Sequence, residues 1–187
     1  MRPLLWFVLL GAAPPWVGDA AAWLEGGITN WNAPGADVVR APAASSPDPR
    51  CAAQARPAIT RDDRVVTAAG WQLVGAAQVF GRTRVFLGTS GYDGMCRPFD
   101  YQGFVFVESH LAGTLSPQLM RSRSDGAITS LRLLSETTIQ VDFARYLDRD
   151  PLCCPSRHVS VAYSIQAKAE GPLLIPGASR VEAASAP

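Results

Sequence analysis

The residues that could carry chemistry in this 187-residue chain are four cysteines and two histidines. The cysteines are Cys51, Cys96 and the adjacent pair Cys153 and Cys154. Zinc sites and dithiol redox catalysts use Cys-x-x-Cys or paired His spacings, and the chain contains neither. An even number of cysteines without such a spacing predicts two disulfides in a protein that reaches an oxidising compartment.

The pairing of the four cysteines has three alternatives. A bond between the neighbours Cys153 and Cys154 would close a small ring that contains the peptide bond between them. We therefore expect each neighbour to pair elsewhere, one with Cys96 and the other with Cys51. Successive residues of an extended segment point to opposite faces, so two neighbours can reach two different partners.

The two histidines, His110 and His158, leave few options for acid–base catalysis. His110 falls in a predicted hairpin turn, and His158 begins a predicted strand. A serine hydrolase needs a Gly-x-Ser-x-Gly turn, and the nearest segment, Gly88–Gly91, lacks that spacing. We expect no catalytic residue, although an enzyme with a site that the sequence does not show stays an alternative.

Bound ions and cofactors also lack a sequence signature. Asp148 and Asp150 could contact calcium, but an exposed turn before Pro151 explains them as well. No glycine-rich phosphate loop is present. The formal net charge of +1 gives no basis for binding nucleic acid. We expect no metal and no cofactor.

A candidate binding surface follows from the residues near the cysteines. If Cys96 meets Cys153 or Cys154, several aromatic and arginine side chains converge around the bond, and these residue types anchor recognition surfaces. The alternative is that the aromatics pack the sheet and that Arg157 pairs with an internal aspartate. The candidate residues are Tyr92, Arg97, Phe99, Tyr101, Tyr146 and Arg157.

Hydrophobic periodicity predicts the elements that position these residues. Thr60 and Asp63 have the spacing of a helix start, and Gly70 stands where a helix would end, which predicts a helix over 61–69. Residues 139–143 and 159–165 alternate apolar and polar side chains, as half-buried strands do. Segments 85–87 and 103–107 are apolar on both faces, which predicts central strands covered on each side, with the helix as one cover.

Short turns separate the predicted strands and require antiparallel neighbours. The sequence therefore predicts an α+β domain: a mostly antiparallel sheet of about six or seven strands packed with one short N-terminal helix and stabilised by disulfides. A barrel or a sandwich stays an alternative.

The flanks suggest an exported protein. Arg2, the apolar run 4–13 and the small residues that follow are typical of a signal peptide over residues 1–22. Residues 23–57, rich in Pro, Ala and Gly, predict a linker, although Trp31 could lie against the domain. The domain is expected over residues 58–168 and a tail over 169–187, of which 173–175 could dock as an extended piece.

Five segments of the core form a recognisable pattern: Asp93–Cys96 followed by 101–107, then Leu111–Pro117, 144–146, and Asp150–Arg157 with its proline-flanked cysteine pair. With them, residues 71–163 resemble the LppP/LprE family of exported bacterial proteins, best known as lipoproteins of actinobacteria. The resemblance implies export and a shared fold, but no particular reaction. The first cysteine is Cys51, so no cysteine follows the apolar run to support a lipid anchor.

These observations predict a secreted or cell-envelope domain, extracellular or periplasmic, that acts by binding and is not an enzyme. The alternatives are a hydrolase or other enzyme with an unadvertised site and a purely structural accessory protein of the envelope. The expected partner is an envelope protein, a glycan or a small molecule. We expect no nucleic acid partner and no stable membrane insertion after the signal peptide is cleaved.

Overall fold

The computed structural model describes residues 21–43 and 49–183, and within them the chain forms two antiparallel sheets and one α-helix. The first sheet has five strands in the order β1-β2-β3-β4-β5, and the second has four in the order β6-β7-β8-β9. Residues 1–20 of the predicted signal peptide lie outside the described residues. The elements are β1 (Ala55–Arg56), α1 (Arg61–Ala68), β2 (Gln72–Phe80), β3 (Thr83–Tyr92), β4 (Pro98–Val107), β5 (His110–Thr114), β6 (Ile128–Ser135), β7 (Thr138–Arg145), β8 (Arg157–Lys168) and β9 (Gly171–Ala183).

The sequence prediction of one sheet with six or seven strands is wrong in the number of sheets and strands, whereas the antiparallel pairing is confirmed. Alternation reports which face of a strand is buried but not which strand is its neighbour, so it cannot divide strands between two sheets. The strand count is larger chiefly because residues 171–183, predicted as a tail, pair with β8 as β9.

The helix starts as its capping residues predict. The Thr60 hydroxyl accepts the backbone N–H of Asp63 at 3.2 Å, and the Asp63 carboxylate accepts the N–H of Thr60 at 2.9 Å. This reciprocal pair satisfies two of the N–H groups that a helix start leaves without partners. Gly70 follows the helix with φ of +96°, a conformation that glycine adopts without a steric penalty.

The central strands β3 and β4 are covered on both faces, which confirms the prediction for residues 85–87 and 103–107. Val85 and Val105 face the second sheet and pack in a core with Val141 and Val161. On the opposite face, Phe86, Phe104 and Phe106 pack beneath Val66 of α1 and beside Trp71 and Leu73. The domain therefore has three layers, with the helix on the first sheet and the first sheet on the second.

Charged groups join the helix to the sheet. The Asp63 carboxylate, 1% exposed, lies 2.7 Å from the Arg56 guanidinium on β1. Asp62 is also buried and lies 3.4 Å from Arg84 on β3. Arg56 in turn stacks over the Phe86 ring, 5.4 Å from its centroid. The carboxylates at the helix start thus bind the arginines of the sheet beneath it.

Part of the segment predicted as a linker packs on the sheets, so a linker over all of residues 23–57 is too broad. The indole N–H of Trp31 donates to the carbonyl oxygen of Thr114 at 3.2 Å, and the indole of Trp71 donates to that of Val39 at 2.7 Å. Trp31 and Val38 pack against the two cores. Apolar side chains within a polar stretch are sufficient to hold this segment, as the alternative for Trp31 suggested.

Asn32 joins the two sheets along one side of the domain. Its amide oxygen accepts the N–H of Thr114 on β5 at 2.8 Å. Its amide nitrogen donates to the carbonyl oxygens of Thr114 and of Leu174 on β9, both at 3.2 Å. The side chain thus supplies the polar contacts that a neighbouring strand would supply to an edge.

Gln78 has the same role on the other side. Its amide nitrogen donates to the carbonyl oxygen of Leu131 at 2.6 Å, and its amide oxygen accepts the N–H of Leu133 at 2.7 Å. Both partners lie on β6, the edge strand of the second sheet. The two amides therefore hold the sheets together at both open sides.

Candidate functional site

All four cysteines are bonded, but in a pairing that corrects the sequence prediction. Cys51 pairs with Cys96, and Cys153 pairs with its neighbour Cys154. The expected bond from Cys96 to the adjacent pair is therefore absent. Cys51 lies in a short helical segment, Pro49–Gln54, which runs beside the turn that contains Cys96. Ring closure between neighbours was the argument against this pairing, and the loop that carries them accommodates it.

The β3–β4 turn is fixed by one aspartate in addition to Cys96. The Asp93 carboxylate accepts the backbone N–H groups of Met95 and Arg97 at 2.9 and 3.0 Å, and pairs with the Arg97 guanidinium at 2.6 Å. The hydrogen bond from Arg97 lowers the pKa of Asp93. The turn is thus held by an ion pair, by backbone contacts and by a disulfide to Cys51.

The β7–β8 connection, residues 146–156, is organised by Asp150. Its carboxylate accepts the backbone N–H groups of Leu147 and Ser156, both at 2.8 Å, and also the Ser156 hydroxyl. These contacts, the one from Leu147 first, lower the pKa of Asp150. They occupy the carboxylate that the sequence offered as a calcium contact, and they support the alternative of a turn.

These two loops lie at the same end of the domain. Tyr101, near the start of β4, accepts the backbone N–H of Ile128 on its hydroxyl at 2.7 Å. Ile128 pairs with Phe143 near the end of β7. The β3–β4 turn and the β7–β8 connection therefore project from one end, which we call the disulfide end and define by residues 93–97 and 146–156.

The six predicted surface residues fall in two groups at this end. Four come from the β3–β4 hairpin. The other two lie at the two ends of the β7–β8 connection, one at each end. The first group is Tyr92, Arg97, Phe99 and Tyr101, and the second is Tyr146 and Arg157. No disulfide joins the two groups. The bond from Cys96 to the adjacent cysteine pair, which was expected to bring them together, is not formed.

Not all of the first group is open to a partner. Tyr101 is a core residue, and burial raises its pKa. Burial also raises the pKa of Tyr92. The Phe99 ring is covered by the Arg121 guanidinium, 4.3 Å from the ring centroid. The aromatic side chains of the β3–β4 hairpin therefore agree with the alternative in which they pack against the sheet.

The second group is more accessible. Tyr146 donates its hydroxyl to the carbonyl oxygen of Leu152 at 3.1 Å, which ties the start of the loop to its tip. Arg157 is exposed at the start of β8. It does not pair with Asp93 or Asp150, because those carboxylates bind Arg97 and Ser156.

Sequence reasoning missed the two most exposed apolar side chains of this end. Met95 and Leu152 are 70% and 69% exposed. Each directly precedes a cysteine of a different disulfide, Cys96 and Cys153. An apolar residue beside a cysteine in a predicted turn was the signal that could have found them, since a constrained turn cannot fold such a side chain inward.

Neither histidine has the geometry of a general base. His158 is 3.2 Å from the Thr129 hydroxyl through Nδ1. His110 lines a cleft with Asp37 and Glu170 but hydrogen-bonds to neither. Catalytic histidines are normally oriented by a carboxylate or carbonyl partner.

Residues 21–43 and 49–183 contain neither a cluster of metal ligands nor a membrane-spanning helix. No group of three His, Cys, Asp or Glu side chains there is arranged to hold a metal ion. In the same residues, no helix has the length and apolar composition to cross a membrane.

Comparison with known proteins identifies the family of the central part of the chain. The model of the LppP/LprE lipoprotein family matches residues 80–168, which extend from the end of β2 to the end of β8. No curated protein and no solved structure matches the chain. The matched segment contains Cys96, the cysteine pair and both loops of the disulfide end. Residues 80–168 are therefore similar to the LppP/LprE lipoprotein family, as the sequence resemblance predicted, and this family suggests association with the cell envelope.

Proposed function

We propose that this protein is an exported domain of the cell envelope that binds another envelope protein through its disulfide end and catalyses no reaction. The observation that carries the proposal is the exposure of Met95 and Leu152 on two loops of one end, each of which carries a disulfide-bonded cysteine beside the exposed residue. A single exposed apolar side chain is ordinary for a protein surface, so the proposal rests on two of them lying at one end of the domain on constrained loops.

The loops are suited to binding because they are constrained before a partner arrives. Ordering a mobile loop on association costs free energy, and a loop already held by a disulfide and by a carboxylate avoids much of that cost. Asp93 holds the first loop and Asp150 the second. The exposed arginines beside them, including Arg157, supply the hydrogen-bond donors common at protein interfaces.

A protein partner fits this end better than a glycan or a nucleic acid. Sugar binding uses an open aromatic face, but Arg121 covers Phe99 and the core encloses Tyr101. Aspartates balance the arginines, since Asp93 pairs with Arg97 and Asp100 with Arg121. The end therefore lacks the excess of positive charge that binding of nucleic acid requires.

The proposal can be tested by photo-crosslinking in the intact envelope of the producing cell. A photoreactive phenylalanine analogue is placed at position 95 or 152, and in matched controls at Val79 or Leu134. The control side chains are similarly exposed, at 57% and 52%. They lie near the C-terminal ends of β2 and β6, which are at the end of the domain opposite the disulfide end. We expect one adduct of the same mass from positions 95 and 152 and none of that mass from the controls.

Two outcomes would contradict the proposal. Adducts of the same mass from all four positions would show general surface contact without a defined interface. Absence of any adduct from positions 95 and 152 in the folded protein would instead favour the alternative of a structural accessory protein.

A further inference from the structure

A second candidate binding site lies at the end of the domain opposite the disulfides. A cleft of about 220 Å³ opens between the extended segment 35–38, helix α1, the β4–β5 turn and the start of β9. The β4–β5 turn follows the last residue of β4, whereas the β3–β4 turn precedes its first. This cleft is therefore separate from the surface assigned above to a protein partner.

Four apolar side chains contribute to the lining of the cleft. Val38 of the extended segment, Val65 of the helix, Phe106 of β4 and Leu111 of β5 line it. Phe106 is a core residue packed in a stack with Phe86, so the wall that it forms is fixed. Such a surface favours the apolar part of a small ligand by removing it from water.

The rim of the cleft carries negative charge. Asp37 and Glu170 line it from two segments far apart in the sequence, and the lining contains no Lys or Arg. Within the described residues, neither carboxylate has a hydrogen-bond or ion-pair partner. In contrast, Asp93 and Asp100 are paired with arginines. The cleft thus has two carboxylates that pair with no lysine or arginine of the described residues, together with apolar side chains in its lining.

We propose that this cleft binds a small organic ammonium ion that carries a short apolar group. The ammonium ion would lie at the rim beside Asp37 and Glu170, and the apolar group would contact Val65 and Leu111. An anion would be repelled by the two carboxylates, and a neutral apolar molecule would gain nothing from them. The volume is below that of pockets for drug-sized molecules, which are roughly 300 Å³ or larger, so the ligand is small.

The test compares two probes that differ in charge and share the apolar group. Purified oxidised protein is titrated with 4-phenylbutylammonium and, separately, with 4-phenylbutanol, and binding is followed by backbone amide NMR shifts. The titrations are run near pH 8, where free imidazole is neutral. We expect the ammonium probe to bind about tenfold more tightly than the alcohol. The largest shifts are expected at residues 35–38, 109–111 and 170–172.

Variants separate a local site from a general effect of charge. Asp37→Asn combined with Glu170→Gln should weaken binding of the ammonium probe about tenfold and leave the alcohol unchanged. The matched control is Glu182→Gln, which removes another exposed carboxylate without a partner among the described residues. This control should bind the probe as the unaltered protein does.

Three results would overturn the proposal: equal binding of the two probes, equal weakening by the double substitution and by the control, or shifts located elsewhere on the domain. None of these results bears on the disulfide end, because its crosslinking test uses different residues.

Discussion

Replacing Cys51 and Cys96 by alanine together is expected to lower the free energy of unfolding by about 4 kcal/mol. The disulfide joins residues 45 apart in the sequence and so restricts the unfolded chain over a long loop. It also fixes the short helical segment that contains Cys51, which is 1% exposed, against the β3–β4 turn. Equilibrium denaturation of the oxidised protein in urea measures the effect.

The second disulfide supplies the matched control for this prediction. Replacing Cys153 and Cys154 by alanine removes the same kind of bond, but the two residues are already joined by a peptide bond. The Cys153–Cys154 bond therefore hardly restricts the unfolded chain, and its removal should lower the free energy of unfolding by about 1 kcal/mol or less. Equal losses for the two double variants, or a larger loss for the adjacent pair, would show that the long loop does not contribute as described.

Asp63→Ala is expected to cost about 3 kcal/mol of unfolding free energy. The substitution removes the carboxylate that accepts the Thr60 N–H in the capping pair and leaves the Arg56 guanidinium without its carboxylate in a partly buried position. Asp148→Ala is the control, because Asp148 is exposed and has no partner among the described residues. Its effect should stay within about 0.5 kcal/mol. A similar small effect of both substitutions would contradict the role given to Asp63.

The Asp63 contribution should also depend on pH. Burial alone raises the pKa of Asp63, but hydrogen bonds from Arg56, Thr60 and Ile59 outweigh burial and hold that pKa well below its usual range. A carboxylate with a lowered pKa in the folded state stabilises the protein above its unfolded pKa of about 4 and loses this effect as pH falls further. The stability difference between the unaltered protein and Asp63→Asn should therefore be constant above about pH 5 and shrink below about pH 4. A difference that stayed constant down to about pH 2 would contradict the assignment.

Local interactions were the part of the fold that the sequence could predict. Thr60, Asp63 and Gly70 define the helix through contacts within a few residues, so their spacing is sufficient to place it. The segments of β3 and β4 that are apolar on both faces likewise indicate, from their own side chains, that both faces are buried.

The division into two sheets could not be predicted in the same way. It depends on contacts between residues far apart in the sequence, such as Asn32 with Leu174 and Gln78 with Leu131. A polar amide in an otherwise ordinary segment has no local signature of such a role. The pairing of Cys51 with Cys96 is also a long-range property, because it depends on where the segment before the domain returns to the sheet.

The candidate site was predicted in composition but not in arrangement. Tyr146 and Arg157 were identified because they are close in sequence to the cysteine pair, and both lie beside the loop that carries it. Tyr101 was included for the same reason, yet its side chain faces the core because β4 alternates its faces. Proximity in sequence therefore grouped residues that lie at one end of the domain but could not distinguish exposed from buried residues.

Peptide mapping of the oxidised, non-reduced protein after trypsin digestion tests most directly the claim that two separate disulfides build the proposed binding end. Cleavage after Arg and Lys, except before Pro, gives peptides 51–61, 85–121 and 150–157. We predict that peptide 51–61 is linked to 85–121, and that peptide 150–157 is found alone, two hydrogens lighter than its dithiol form. A link between peptides 85–121 and 150–157 would contradict the account.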